Sequence, residues 1–161
     1  DWKVRLLFVS FDIIKGLLVV FIAKYFLNFE FFGIMLALII SLISHSFFQG
    51  LKLRSRDGHF VLLAGLSIFL PIIDILWGLI WLITFIYKRN LNFSLLTTSI
   101  LTGLVSITSS KFINNDYWYS DPMAASNSEF SILVGLLFTT LLITQIDNFK
   151  TYFSVNKGKV K

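Results

Sequence analysis

The chain has no cysteine among its 161 residues. That excludes disulfides and thiol chemistry, and it leaves the redox compartment open. Histidine is scarce too, with only His45 and His59. Two imidazoles and no thiolate do not make a zinc site of the usual kind, so the reading contains no metal and no cofactor. The chain lacks a Walker or dinucleotide glycine pattern. It also lacks a Gly-x-Ser-x-Gly nucleophile elbow. Internal repeats are absent, and no composition break marks a second domain, so the length suggests one domain over residues 1–161. The first apolar run has no small-residue cleavage site, which argues against a cleaved signal peptide.

What is present is hydrophobic residue, 56% of the chain, with a mean hydropathy of +0.79. A soluble domain of this size cannot hide so much apolar surface. A bilayer can solvate it, so the expected fold is an all-α, polytopic membrane helical bundle. A helix needs about 20 apolar residues to cross about 30 Å of hydrocarbon. Runs near this length occur at Leu6–Leu27, Phe31–Phe48, Phe93–Ser109 and Phe130–Ile146. Two shorter runs, His59–Leu70 and Ile72–Tyr87, flank Pro71. Proline breaks or kinks a helix. This stretch is too long for one ordinary span and short for two.

Charge placement decides between the counts. With six crossings one face receives Lys3 and Arg5, then Lys52, Arg54 and Arg56, then Lys88 and Arg89, then Lys150, Lys157, Lys159 and Lys161. The other face receives Lys24, Lys111, Glu30, Asp116, Asp121 and Glu129. The positive-inside rule then puts both termini in the cytosol. Five crossings would scatter the basic loops over both sides. The expectation is therefore about six segments, with a tight helix pair around Pro71. The net charge of +5 fits loops beside anionic membrane lipid and calls for no nucleic acid.

Charged groups inside spans need a partner or a purpose. Asp12 and Lys15 are three apart on one helix face, where they can pair, and Lys15 can also reach back to the cytosolic end. His45 ends the second span beside a ten-residue segment that holds Lys52, Arg54, Arg56 and Gly58. Such a segment is a solvated positive loop or a phosphate cradle. His59, at a span boundary, reads as an interfacial polar residue. Trp77 and Trp81, four apart, read as packing. Thr97, Thr98, Thr102 and Ser106 line one helix, for packing or for a solute path. Tyr117, Trp118 and Tyr119 suit an interfacial belt in the longest loop. Asp147 and Asn148 close the last span on the same face as His45. The polar candidates all lie toward one face, which suits an anionic head group with a lipid or acyl partner.

The order of these features resembles the bacterial acyl-phosphate:glycerol-3-phosphate acyltransferases. The family's Asp-x-x-Lys-Gly is matched by Asp12-Ile13-Ile14-Lys15-Gly16. Its Gly-His-x-x-Pro and Phe-Lys-Gly-Gly-Lys-Gly loop correspond to Ser44-His45-Ser46-Phe47-Phe48 and Leu53-Arg54-Ser55-Arg56-Asp57-Gly58. Its closing Glu-Asn is similar to Asp147-Asn148. The family's Ser-Gly-Asn-x-Gly-Ala segment, which follows a further N-terminal span, has no match. The chain opens at Asp1 rather than Met, and the expectation is that an N-terminal piece precedes it. Ser55 and Arg56 stand where two glycines are expected, which removes close backbone approach to phosphate. Asp57 adds a carboxylate that repels phosphate.

The resemblance implies acyl transfer from acyl phosphate to the 1-hydroxyl of glycerol 3-phosphate, in phospholipid synthesis at the cell membrane. His45 would give or take a proton, with Asn148 beside it in the catalytic group. Lys52, Arg54, Arg56 and Gly58 would hold phosphate, with Asp12, Lys15 and Asp147 around the substrates. The altered basic loop keeps an alternative open: a non-catalytic partner subunit in the membrane, or a small-solute permease on the same fold.

Overall fold

The computed structural model describes residues 2–49, 58–115 and 120–145. Every regular element in them is helical. Helix α1 (Trp2–Phe21) runs on through a π-helical turn, Ile22–Phe26. Then come α2 (Phe31–Gln49), α3 (His59–Phe69), α4 (Pro71–Lys88) and α5 (Leu91–Thr108). A four-residue helix, α6 (Ser110–Ile113), precedes α7 (Asn127–Thr144).

Four stretches are long and apolar enough to cross a membrane: Leu6–Phe26, Pro71–Lys88, Leu91–Thr108 and Asn127–Thr144. Phe31–His45 and His59–Phe69 are shorter apolar helices. The fold is the expected membrane helical bundle. Its surface polarity fits a lipid solvent. On α5 the buried side is Ser94, Thr98, Ser99, Thr102, Gly103 and Ser106, while Ile100, Leu101 and Leu104 are exposed. Water would favour the reverse; hydrocarbon outside and small polar residues between helices is the membrane pattern.

Contacts at the helix ends fix the direction of each run. Lys24 Nζ donates to Asp121 Oδ2 (3.0 Å) and to the Asp121 carbonyl (2.9 Å), and the Asp121 N–H donates to the Phe69 carbonyl (3.0 Å). The rings of Phe31, Phe69 and Phe130 pack together at the same end, with Phe31 stacked on Phe130 at 5.5 Å between centroids. The end of α1, the start of α2, the end of α3 and the start of α7 therefore share one pole, the Asp121 end. Toward the opposite pole, the His45 end, Gly58 lies beside His45 and Thr144. The six longer helices, α1 to α5 and α7, alternate in direction between the two poles. Pro71 is the first residue of α4, where its missing N–H costs nothing.

Helices α1 and α3 approach each other closely. A Cβ on Gly16 would collide with the Val61 carbonyl oxygen and lie 3.1 Å from Ala64 Cβ. A Cβ on Gly65 would meet Val20 Cγ2 at 3.2 Å. Gly16 against Val61 and Val20 against Gly65 is a step of four on both helices, a parallel register. Small residues allow that approach, as in other membrane helix pairs. Past the Asp121 pole, Asn114 clasps Ala124 through both amide atoms, at 3.2 and 2.8 Å. Ser126 and Glu129 cap α7: Ser126 Oγ accepts from Glu129 N–H, and Glu129 Oε2 accepts from Ala125 N–H.

Candidate functional site

Helix α3 has 11 residues and rises about 16 Å, half a bilayer core. Its end is fixed at the Asp121 pole, so its start, Gly58–His59, lies inside the bundle. This short helix sets the depth of a buried polar layer. Asp12 is ten residues from the start of α1 and Ser99 eight residues from the start of α5. The layer therefore lies about 12–15 Å below those helix tips, at 1.5 Å per residue.

One half of the layer joins α1 and α2. His45 Nδ1 lies 3.5 Å from Asp12 Oδ1, and both residues are under 10% exposed. A buried carboxylate needs such a partner. Lys15 does not reach back toward the start of α1. Its ammonium turns across the same interface to the Ser41 carbonyl oxygen, at 3.5 Å. Asp12 and His45, then Lys15 and Ser41, are successive rungs of an antiparallel helix pair. Gly58 completes this half: a Cβ there would sit 3.1 Å from Leu42 Cδ2 and 3.7 Å from His45 Cδ2.

The other half joins α3, α5 and the end of α7. His59 is not interfacial, as its place at a span boundary suggests, but 2% exposed. Gln145 Nε2 lies 2.7 Å from His59 Nε2 and 3.5 Å from Ser99 Oγ. Ser99 Oγ is 3.3 Å from His59 Nε2 and donates to the Leu95 carbonyl at 2.8 Å. The Trp77 ring lies against the His59 imidazole at 5.6 Å, and Trp81 stacks on Trp77, so this tryptophan pair is packing.

The structure thus brings Asp12, Lys15, His45 and Gly58 together. Lys52, Arg54, Arg56, Asp147 and Asn148 lie outside the described residues, as do Tyr117, Trp118 and Tyr119. His59, Ser99 and Gln145 belong to the layer although little in their sequence positions marks them. Ser99 shares the spacing of the buried Ser/Thr face of α5, the one signal that could have found it. An open hollow of about 330 Å³ runs along α1 past Leu6, Leu7, Ser10, Phe11 and Ile14, on the side away from Asp12. Among the described residues no three His, Asp or Glu side chains converge as a metal ion would require.

This arrangement can do proton chemistry at an imidazole oriented by a carboxylate, screened from bulk water. The family model described as Glycerol-3-phosphate acyltransferase matches residues 1–154, nearly the whole chain, and the chain belongs to that family. No curated protein and no solved structure matches.

Proposed function

With that membership as the premise, we propose that the chain, as one membrane domain, transfers an acyl group from an acyl phosphate to the 1-hydroxyl of glycerol 3-phosphate at the cytosolic face of the cell membrane. The observation that carries this reading is the buried Asp12–His45 pair, which lies beside Gly58, the last residue of the basic segment.

In the proposed reaction the 1-hydroxyl oxygen attacks the acyl carbon. The bond from that carbon to the phosphate oxygen breaks, and its electron pair leaves on inorganic phosphate. The hydroxyl proton passes to His45 Nε2. Asp12 holds Nδ1–H, which fixes the tautomer and steadies the imidazolium. Lys52, Arg54 and Arg56 hold phosphate by charge-assisted hydrogen bonds. Asp147 and Asn148 position the acceptor. Both termini face the cytosol in this reading, because Lys88 ends α4 and Arg89 caps it at the His45 end, while Lys24 and Lys111 lie toward the other.

A solute path along α5 is less favoured. Gly103 packs against Phe138, where a Cβ would meet the Phe138 Cβ at 3.1 Å, so the Ser/Thr face is filled rather than open.

The test is purified protein supplied with acyl phosphate and glycerol 3-phosphate. Formation of 1-acyl-glycerol 3-phosphate is expected, with kcat lowered roughly 10²–10⁴-fold by His45→Gln. Absence of that product from the unaltered protein contradicts the proposal.

A further inference from the structure

The second half of the polar layer has no role in the reaction above, and its chain positions are informative. His59 directly follows Gly58, the end of the segment that carries Lys52, Arg54 and Arg56. Gln145 caps α7 and stands two positions before Asp147. The 2.7 Å contact between Gln145 Nε2 and His59 Nε2 therefore joins the two stretches of chain that lead into the proposed phosphate-holding and acceptor-holding residues.

We infer that His59 is a positioning residue, whose bond to Gln145 ties the end of α7 to the start of α3, the two helix ends next in sequence to the proposed acceptor-holding and phosphate-holding residues. With the amide nitrogen facing the ring, Gln145 donates and His59 Nε2 accepts, as a neutral imidazole with its proton on Nδ1. Nδ1 makes no hydrogen bond among the described residues, so Nε2 is the ring's polar attachment there. Ser99 Oγ accepts a second, longer contact from the same amide and anchors the pair to α5. Trp77 closes the opposite side of the imidazole and limits its rotation. All three polar residues are buried, at 2%, 0% and 3% exposure. Their bonds do not compete with water, and loss of one partner leaves another buried polar group unsatisfied. An imidazole that merely filled space would not need an amide at the C-cap of a helix from the other end of the sequence.

The inference rests on the acyl-transfer reading for its kinetic consequence, so the experiment has a mechanical arm and a kinetic arm. The chain has no native cysteine. A Gly58→Cys/Thr144→Cys pair reports the approach of the two ends, because a Cβ at Gly58 lies 3.9 Å from Thr144 Oγ1. Oxidation in membranes is expected to cross-link this pair readily, and the added His59→Ala is expected to cut the yield several-fold, with His59→Gln restoring most of it. In the kinetic arm, without the cysteines, His59→Ala and Gln145→Ala each raise KM for glycerol 3-phosphate roughly ten-fold or more, with a smaller change in KM for acyl phosphate. The double variant is no worse than either single one, because one bond is lost once. A cross-link yield indifferent to His59→Ala overturns the inference, as does an unchanged KM for glycerol 3-phosphate in an active enzyme. An unaltered protein with no acyl transfer but with a His59-dependent cross-link sinks the acyl-transfer reading and supports the tie.

Discussion

Gly16 shows how a single hydrogen atom sets helix spacing. The Val61 carbonyl lies where its Cβ would be, and the obstacle is backbone, which cannot rotate away. Gly16→Ala must push α1 and α3 apart. The expected cost is about 1–3 kcal/mol, read as a fall in thermal stability in detergent. Gly78 supplies the control: nothing lies within 4 Å of its Cβ position, so Gly78→Ala is expected to gain about 0.5–1 kcal/mol from helix propensity. At this scale the sequence was partly legible. Asp12, Lys15 and His45 stand out because charge and imidazole are costly in an apolar run, and Gly16 only through the motif it closes. Their partners across the bundle were not legible, because i, i+3 spacing relates Asp12 to Lys15, whose charges do interact, but gives no sign that the fold also brings His45 across from α2. Gln145 gave no signal at all, since an amide at a helix end is ordinarily solvated.

The helices themselves were legible almost to their ends, because apolar run length and Pro71 determine them. Two local features were not. The π turn at Ile22–Phe26 adds a residue inside an apolar stretch with no compositional mark, and it leads into the Lys24–Asp121 contact. The four-residue α6 is too short for any period to register. Helix α5 carries a test of packing against transport. Thr102 is fully buried, and its hydroxyl makes no hydrogen bond among the described residues. Thr102→Val keeps the shape, so stability is expected to stay within about 0.5 kcal/mol. Gly103→Leu drives a side chain into Phe138 and is expected to cost about 1–3 kcal/mol by denaturation in detergent. A tolerated Gly103→Leu would mean an open space where the account has a filled one.

For the molecule as a whole, an alternation of six runs gathers Asp12, His45, Gly58, His59 and Gln145 in one layer toward one pole. Charge counting reached the same alternation from the sequence, because lysine and arginine avoid translocation while the spans themselves carry no sign of direction. The depth of the layer was not legible. It follows from the shortness of α3, and an apolar run of 11 residues does not say which of its ends is recessed. The absence of native cysteine makes the decisive measurement clean. Single variants Lys52→Cys, Lys88→Cys and Lys111→Cys would be exposed to a membrane-impermeant maleimide on intact cells and on inverted vesicles. Cysteines at 52 and 88 are expected to react only in inverted vesicles, and the one at 111 only on intact cells. Labelling of positions 52 and 88 from opposite sides of the membrane would contradict the one-sided site on which the acyl-transfer proposal stands.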